Sequence, residues 1–209
     1  MDATANHTST QVGAALSVRD ITMRFSGVTV LDNVSFEVEP GQVHAVIGPN
    51  GAGKSTLFNV LSGLYVPSAG NVDLDGKSLL GLRPDQTVMA GVGRAFQNGS
   101  MFTSMTVEEN LLLGRHHLTK SNVFSIGFRL PRASKEGRES QQKVREIAEF
   151  VGITDLLERD ASSLPYGQAK RVDVARALAT EPRLLLLDEP AAGMHTHEKL
   201  EMRDLIVRI

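Results

Sequence analysis

Two hydrophobic periods divide the chain. From Leu16 the pattern alternates: Ile21, Met23 and Phe25 are separated by single polar residues, and so are Val34, Phe36 and Val38. Alternation predicts half-buried strands, because successive side chains point to opposite faces of a sheet. Val43 to Ile47 predicts a buried strand that ends in a glycine-rich turn. A helix follows from about Lys54 to Leu61, and Asn71 to Leu79 predicts a hairpin turning at Asp75-Gly76. In the middle third the period becomes helical. Thr106-Val107-Glu108-Glu109 is a capping box that opens a helix through Leu111 to Leu113. Val144, Ile147, Ala148 and Val151 mark one helix face, and residues 118–133 between them read as a loop. The last third returns to alternating elements: a helix from about Gly167 to Ala179, a strand from Arg183 to Leu187, and a helix from about Thr196. Residues 1–15 are small, polar and aperiodic, which predicts a disordered tail.

Composition narrows this picture. At 209 residues the chain is one domain, or one core with a modest inserted lobe. Lys and Arg number 22 against 24 Asp and Glu, a net charge of −2, which argues against charge-driven binding to nucleic acid. Cysteine is absent, so disulfides, thiol catalysis and Cys-ligated zinc are excluded. The aliphatic blocks, such as Leu184 to Leu187, are far too short to span a bilayer. No apolar stretch precedes Arg19, so the N-terminus does not read as a secretory signal.

The chemistry-bearing motifs sit where strands give way to helices. Gly48-Pro49-Asn50-Gly51-Ala52-Gly53-Lys54-Ser55-Thr56 fits G-x-x-x-x-G-K-[ST], between a predicted strand and a predicted helix. Its glycines let successive backbone N–H groups point at phosphate oxygens, and the helix start adds partial positive charge. Lys54 suits the β- and γ-phosphates of a nucleotide, and Ser55 suits Mg²⁺. Far downstream, Leu184 to Leu187 is a short apolar strand ending in Asp188 and Glu189. A buried parallel strand delivers such residues to the ligand edge of an open sheet. Asp188 would hold the Mg²⁺ shell through water, and Glu189 would polarise an attacking water. On its own this carboxylate pair reads as a solvated turn before it reads as a site; the Lys54 loop gives it meaning.

Leu164-Pro165-Tyr166-Gly167-Gln168 precedes the helix that leads to this strand. Here the sequence resembles the ATP-binding cassette family. Its members carry, in order, a phosphate loop, a glutamine after a short strand, an L-S-G-G-Q-like signature and an acidic strand. The matching positions are Gly48–Thr56, Gln97, Leu164–Gln168 and Leu184–Glu189, and the resemblance runs from about Leu16 to Ile209. It implies a P-loop NTPase α/β fold of the ABC ATPase type. The parts would be an N-terminal antiparallel β subdomain, a RecA-like parallel-sheet core and a helical subdomain at about 98–165. It further implies ATP hydrolysis with Mg²⁺, with Gln97 touching the metal or the attacking water and Phe25 stacking on adenine. The signature would close on the ATP of a second ATPase subunit, in a homodimer or a heterodimer. Finer blocks look like the ATP-binding subunits of branched-chain amino-acid importers: Tyr166 before Gly167, the run Asp188 to Gly193, and residues 101–117. That likeness implies membrane-spanning permease partners and a place on the inner face of the cell membrane.

Three departures qualify the expectation. Pro165 replaces the signature serine, which removes a hydroxyl and a backbone N–H. His195 stands where relatives carry Asp or Asn. The family's histidine after a later strand has no counterpart before Ile209, which implies a chain truncated relative to the family. Two other readings of the same motifs stay open: a nucleotide-binding module with little hydrolysis, and a soluble ABC ATPase not engaged in transport.

Overall fold

The computed structural model describes residues 13–95, 101–118 and 131–209. They form two compact units, Met1–Gly81 and Leu82–Ile209.

The first unit contains β1 (Leu16–Phe25), β2 (Val28–Val38), α1 (Lys54–Leu61), β3 (Ala69–Leu74) and β4 (Lys77–Ser78). The strands form one antiparallel sheet in the order β2-β1-β3-β4. Ser26 and Gly27, with φ of 45° and 89°, make the tight turn between β1 and β2. The alternation of β1 slips once: Leu16 and Val18 are buried, and then Ile21 and Met23. The register shifts between Val18 and Ile21, where Asp20 has φ 53° and its N–H donates to Ser35 Oγ at 2.8 Å. This bulge resets the phase so that both halves of the strand face the core. Leu57, Val60 and Leu61 of α1 complete that buried set, with Leu31, Val38, Val72 and Leu74 from the sheet. The hairpin expected at Asp75-Gly76 is present, with Leu74 opposite Lys77. Order reaches further back than Leu16: Ala14 is buried, and the Ala15 N–H donates to Asp75 at 2.8 Å. The rest of the predicted tail lies outside the described residues.

One expectation fails here. Val43 to Ile47 forms no strand, and Val43 and Ile47 are 73% and 90% exposed. A strand exists only through the ladder it makes with a neighbour, and among the described residues none pairs with this run. Apolar composition alone does not supply that partner.

The second unit contains α2 (Pro84–Met89), β5 (Val92–Ala95), α3 (Val107–Gly114), α4 (Pro131–Val151), α5 (Tyr166–Ala179), β6 (Leu184–Leu187) and α6 (Thr196–Arg208). β5 and β6 pair in parallel, Val92 opposite Leu184 through Ala95 opposite Leu187. α4 starts at Pro131, inside the stretch read as loop; a proline at a helix start loses no needed N–H bond. Residues 119–130 lie outside the described residues. The predicted face of α4 is buried as expected, with Val144, Ala148 and Val151 at most 1% exposed. They join Val107 and Leu111 of α3, Val172 and Val174 of α5, and Met202 and Leu205 of α6 in one core.

Polar groups in this core are handled individually. The Thr106–Glu109 box forms as predicted: Thr106 Oγ1 accepts the Glu109 N–H at 3.2 Å, and Glu109 Oε2 accepts the Thr106 N–H at 2.9 Å. Asn110, fully buried, donates to the Phe102 and Thr106 carbonyls at 3.1 and 2.9 Å and accepts the Phe102 N–H at 2.8 Å. That one side chain ties residues 102–106 to α3. On α5, burial pushes the Asp173 carboxyl above the usual carboxylate range, against the pull of Arg176 and Lys170. The folded state therefore holds this proton more tightly than the unfolded chain does. The stability it contributes is present below the ordinary Asp range and is lost as pH rises through the raised value.

Asn110→Ala is expected to lower stability by about 1–3 kcal/mol, since it strips partners from three backbone groups. The urea midpoint should fall with the slope of the transition unchanged.

Candidate functional site

The glycine-rich loop lies in the first unit and turns into α1 as predicted. Ala52 N–H donates to the Pro49 carbonyl at 3.2 Å, closing a turn. Gly51 and Gly53 have φ of 82° and 85°, a left-handed backbone that β-carbons disfavour. Gly53 is also held by space. A Cβ there would lie 2.8 Å from both the Val30 carbonyl oxygen and Leu31 Cδ2 of β2. Gly53 caps α1 without a side-chain bond, so the first amides of the helix have no side-chain cap. Lys54 folds back over the loop, donating to the Gly48 and Pro49 carbonyls at 2.7 and 2.9 Å. Those bonds take two of the three donors of an ammonium group. Pro49, Asn50 and Ser55 are exposed, and Thr56 is half-buried. In the same unit Phe25 ends β1 and is 40% exposed; its ring meets that of Tyr65 edge-to-face, centroids 5.5 Å apart.

The acidic pair lies in the second unit, at the end of β6. Asp188 is buried and pairs with Arg94 of β5, Oδ2 to Nη2 at 3.1 Å. Their side chains are 6% and 9% exposed. Sequence reading singled out Asp188 but not Arg94. The only hint was a charged residue inside a short apolar strand, and the pairing across parallel strands shows only in three dimensions. Glu189 points the other way: it is exposed and has φ 49°. A glutamate held in the left-handed region stores strain of order 1 kcal/mol or more, a cost that clusters at working sites. Gln97 lies outside the described residues.

The signature lies in the same unit. Pro165 caps α5, and Tyr166 opens it. Tyr166 Oη donates to the Ala192 carbonyl at 3.0 Å, and Gly193, at φ 75°, sits against its ring. The structure thus joins the turn Leu164–Gln168 to the loop that follows Glu189. Gly167 is buried, and any side chain there would collide with the Glu198 carboxylate. Glu198 accepts the His195 N–H at 2.8 Å, so His195, the departure noted above, caps α6. Glu198 was not found from sequence, although its spacing from His195 is that of a capping box.

In the first unit the loop offers amides, an ammonium and the Ser55 hydroxyl, groups whose chemistry suits phosphate and Mg²⁺; in the second unit Asp188 and Glu189 offer hard oxygen donors of the kind Mg²⁺ accepts.

A family model described as ABC transporter matches residues 31–192. The high-affinity branched-chain amino acid transport ATP-binding protein BraF of Pseudomonas aeruginosa is 40% identical over 194 residues, 93% of this chain and 76% of BraF. The high-affinity branched-chain amino acid transport ATP-binding protein LivG of Escherichia coli is 39% identical over 194 residues, again 93% and 76%. Among solved structures, a nucleotide-free ATP-binding cassette from an ABC transporter superposes with a TM-score of 0.79. It is 33% identical and is covered to 76% by 93% of this chain. The ADP conformation of the cassette MJ1267 gives the same TM-score, 0.79.

Gly53→Ala is expected to destabilise the first unit by about 1–3 kcal/mol, because the new carbon meets a backbone carbonyl in a left-handed conformation. Thermal melts of the two proteins side by side measure it.

Proposed function

The chain belongs to the ABC transporter family, and on that premise we propose that it binds and hydrolyses ATP to energise an importer of branched-chain or related amino acids. The observation that carries the reading is the 40% identity to BraF, spread over 93% of the chain. Two features of the site support it: the Lys54 loop at the start of α1, and the two carboxylates at the end of β6.

The loop Gly48–Thr56 holds the triphosphate. Its amides and the α1 terminus receive phosphate oxygens, and Lys54 gives them its third donor while its other two stay on Gly48 and Pro49. Phe25 offers its exposed ring to the base. Ser55, Gln97 and, through water, Asp188 would hold Mg²⁺, which when bound neutralises charge on the β- and γ-phosphates. Arg94 fixes the Asp188 carboxylate in direction, a property the site needs whatever it ligates. Glu189 accepts a proton from water as the water oxygen attacks the γ-phosphorus and the bond to the β-bridging oxygen breaks, leaving ADP and phosphate. The signature Leu164–Gln168 addresses the nucleotide of a second ATPase subunit, and closure of the pair drives membrane-spanning permease subunits. Among the described residues no helix is long and apolar enough to cross a membrane. Attachment to the inner face of the membrane would then come from those permease subunits.

Lys54→Ala is expected to weaken ATP binding by roughly ten- to a hundredfold, the worth of a charge-assisted contact. Titration calorimetry decides it, and unchanged affinity removes Lys54 from the site.

Glu189→Gln should keep ATP but slow turnover by about 10²–10⁴-fold, since an amide keeps the shape and cannot take the proton. Steady-state phosphate release tests this, and parental turnover would remove Glu189 from the role of base.

A further inference from the structure

Phe25 closes β1 immediately before the Ser26-Gly27 turn. The ring that touches it belongs to Tyr65, with centroids 5.5 Å apart and planes crossed at 72°. That is the favoured edge-to-face geometry, in which the positive rim of one ring meets the negative face of the other. Both rings are 40% exposed, and Leu64 and Val66 beside Tyr65 are 47% and 70% exposed. The result is a set of part-exposed apolar side chains at the end of a strand, with the Phe25 ring held against the Tyr65 ring.

Tyr65 is itself firmly placed. Its N–H and that of Leu64 both donate to the Asn59 carbonyl, at 3.1 and 2.9 Å, and Gly63 reverses the chain at φ 74°. Three residues on, the Ser68 N–H donates to the Thr22 carbonyl at 2.8 Å, and Ser68 Oγ accepts the Arg24 N–H at 3.2 Å. The segment is therefore tied to the last turn of α1 at one end and to β1 at the other. α1 is the helix that starts with Lys54, so the element that anchors the phosphate loop also anchors Tyr65.

We infer that Tyr65 is a positioning residue for nucleotide binding, holding the Phe25 ring in the orientation that receives the base. This rests on the reading of Phe25 as the base platform. A ring free to turn would lose conformational freedom when a base stacks on it; a ring already set by Tyr65 loses less, and the base binds more tightly. Because stacking needs only a π-face, the effect belongs to the base and not to the phosphates.

The experiment compares Mg-ATP with Mg-tripolyphosphate, which has no base, by calorimetry on the full chain and on Tyr65→Ala, Tyr65→Phe and Phe25→Ala. ATP should bind the parent protein more tightly than tripolyphosphate. Tyr65→Ala should lose about three- to tenfold toward ATP and nothing toward tripolyphosphate, while Tyr65→Phe, which keeps the ring, stays at the parent value. Unchanged tripolyphosphate binding also shows that the variant is folded around its loop. Equal losses for both ligands would make Tyr65 a packing residue only and overturn the inference. So would a loss in Phe25→Ala with none in Tyr65→Ala, and that result leaves Phe25 as the platform. If Phe25→Ala itself binds ATP like the parent, the platform reading falls, and the role of Tyr65 with it.

Discussion

The second unit depends on how closely other backbones can approach α5. A Cβ on Gly93 of β5 would lie 3.1 Å from the Ala177 carbonyl oxygen, and one on Gly114 of α3 would lie 2.9 Å from that of Arg176. Opposite them the helix presents Ala175, Ala177 and Ala179, all buried. Small residues on both sides let a strand and a helix touch one buried cylinder almost main chain to main chain. That contact fixes where β5 and β6 run, and so where Asp188 emerges. It also fixes the start of α5, where the signature lies. The same helix buries Lys170 and Asp173 and half-buries Arg176, charges that are costly to desolvate and are tolerated because they answer one another.

In the first unit the corresponding constraints are the close approaches of Gly53 to β2 and of Gly70 to β1, where a Cβ on Gly70 would lie 2.5 Å from the Arg19 and Asp20 carbonyl oxygens. At Gly53 the backbone conformation that shapes the loop and the space available for it impose the same residue. At Glu189 they do not. The left-handed backbone would suit glycine, yet a carboxylate stands there.

What could be read in advance followed from locality. α1 and α3 were legible to the residue or nearly so, because Gly53-Lys54 and the Thr106–Glu109 box are signals carried within one turn of chain. The hairpin at Asp75-Gly76 and the buried face of α4 were legible for the same reason. Val43 to Ile47 was not, since its strand character depends on a neighbour that a local pattern cannot specify. The Asp20 bulge in β1 was missed because a phase slip looks like a break in alternation until Ser35 and Gly70 are seen around it. Of the site, the loop, both carboxylates and the signature turn stood out by motif. Arg94 and Glu198 did not: Arg94 acts on a partner distant in sequence, and Glu198 closes its box on a histidine where the motif has Ser or Thr.

The bond from Tyr166 to the Ala192 carbonyl, with Gly193 lying under the ring, bears on how many independent motions this unit can have. Two surface loops with no link between them would be two hinges, each able to open without the other. Stitched by a phenol and a glycine, the turn before α5 and the loop after Glu189 are not two free hinges: either can swing away alone only by giving up the Tyr166 bond and the packing of Gly193 on its ring.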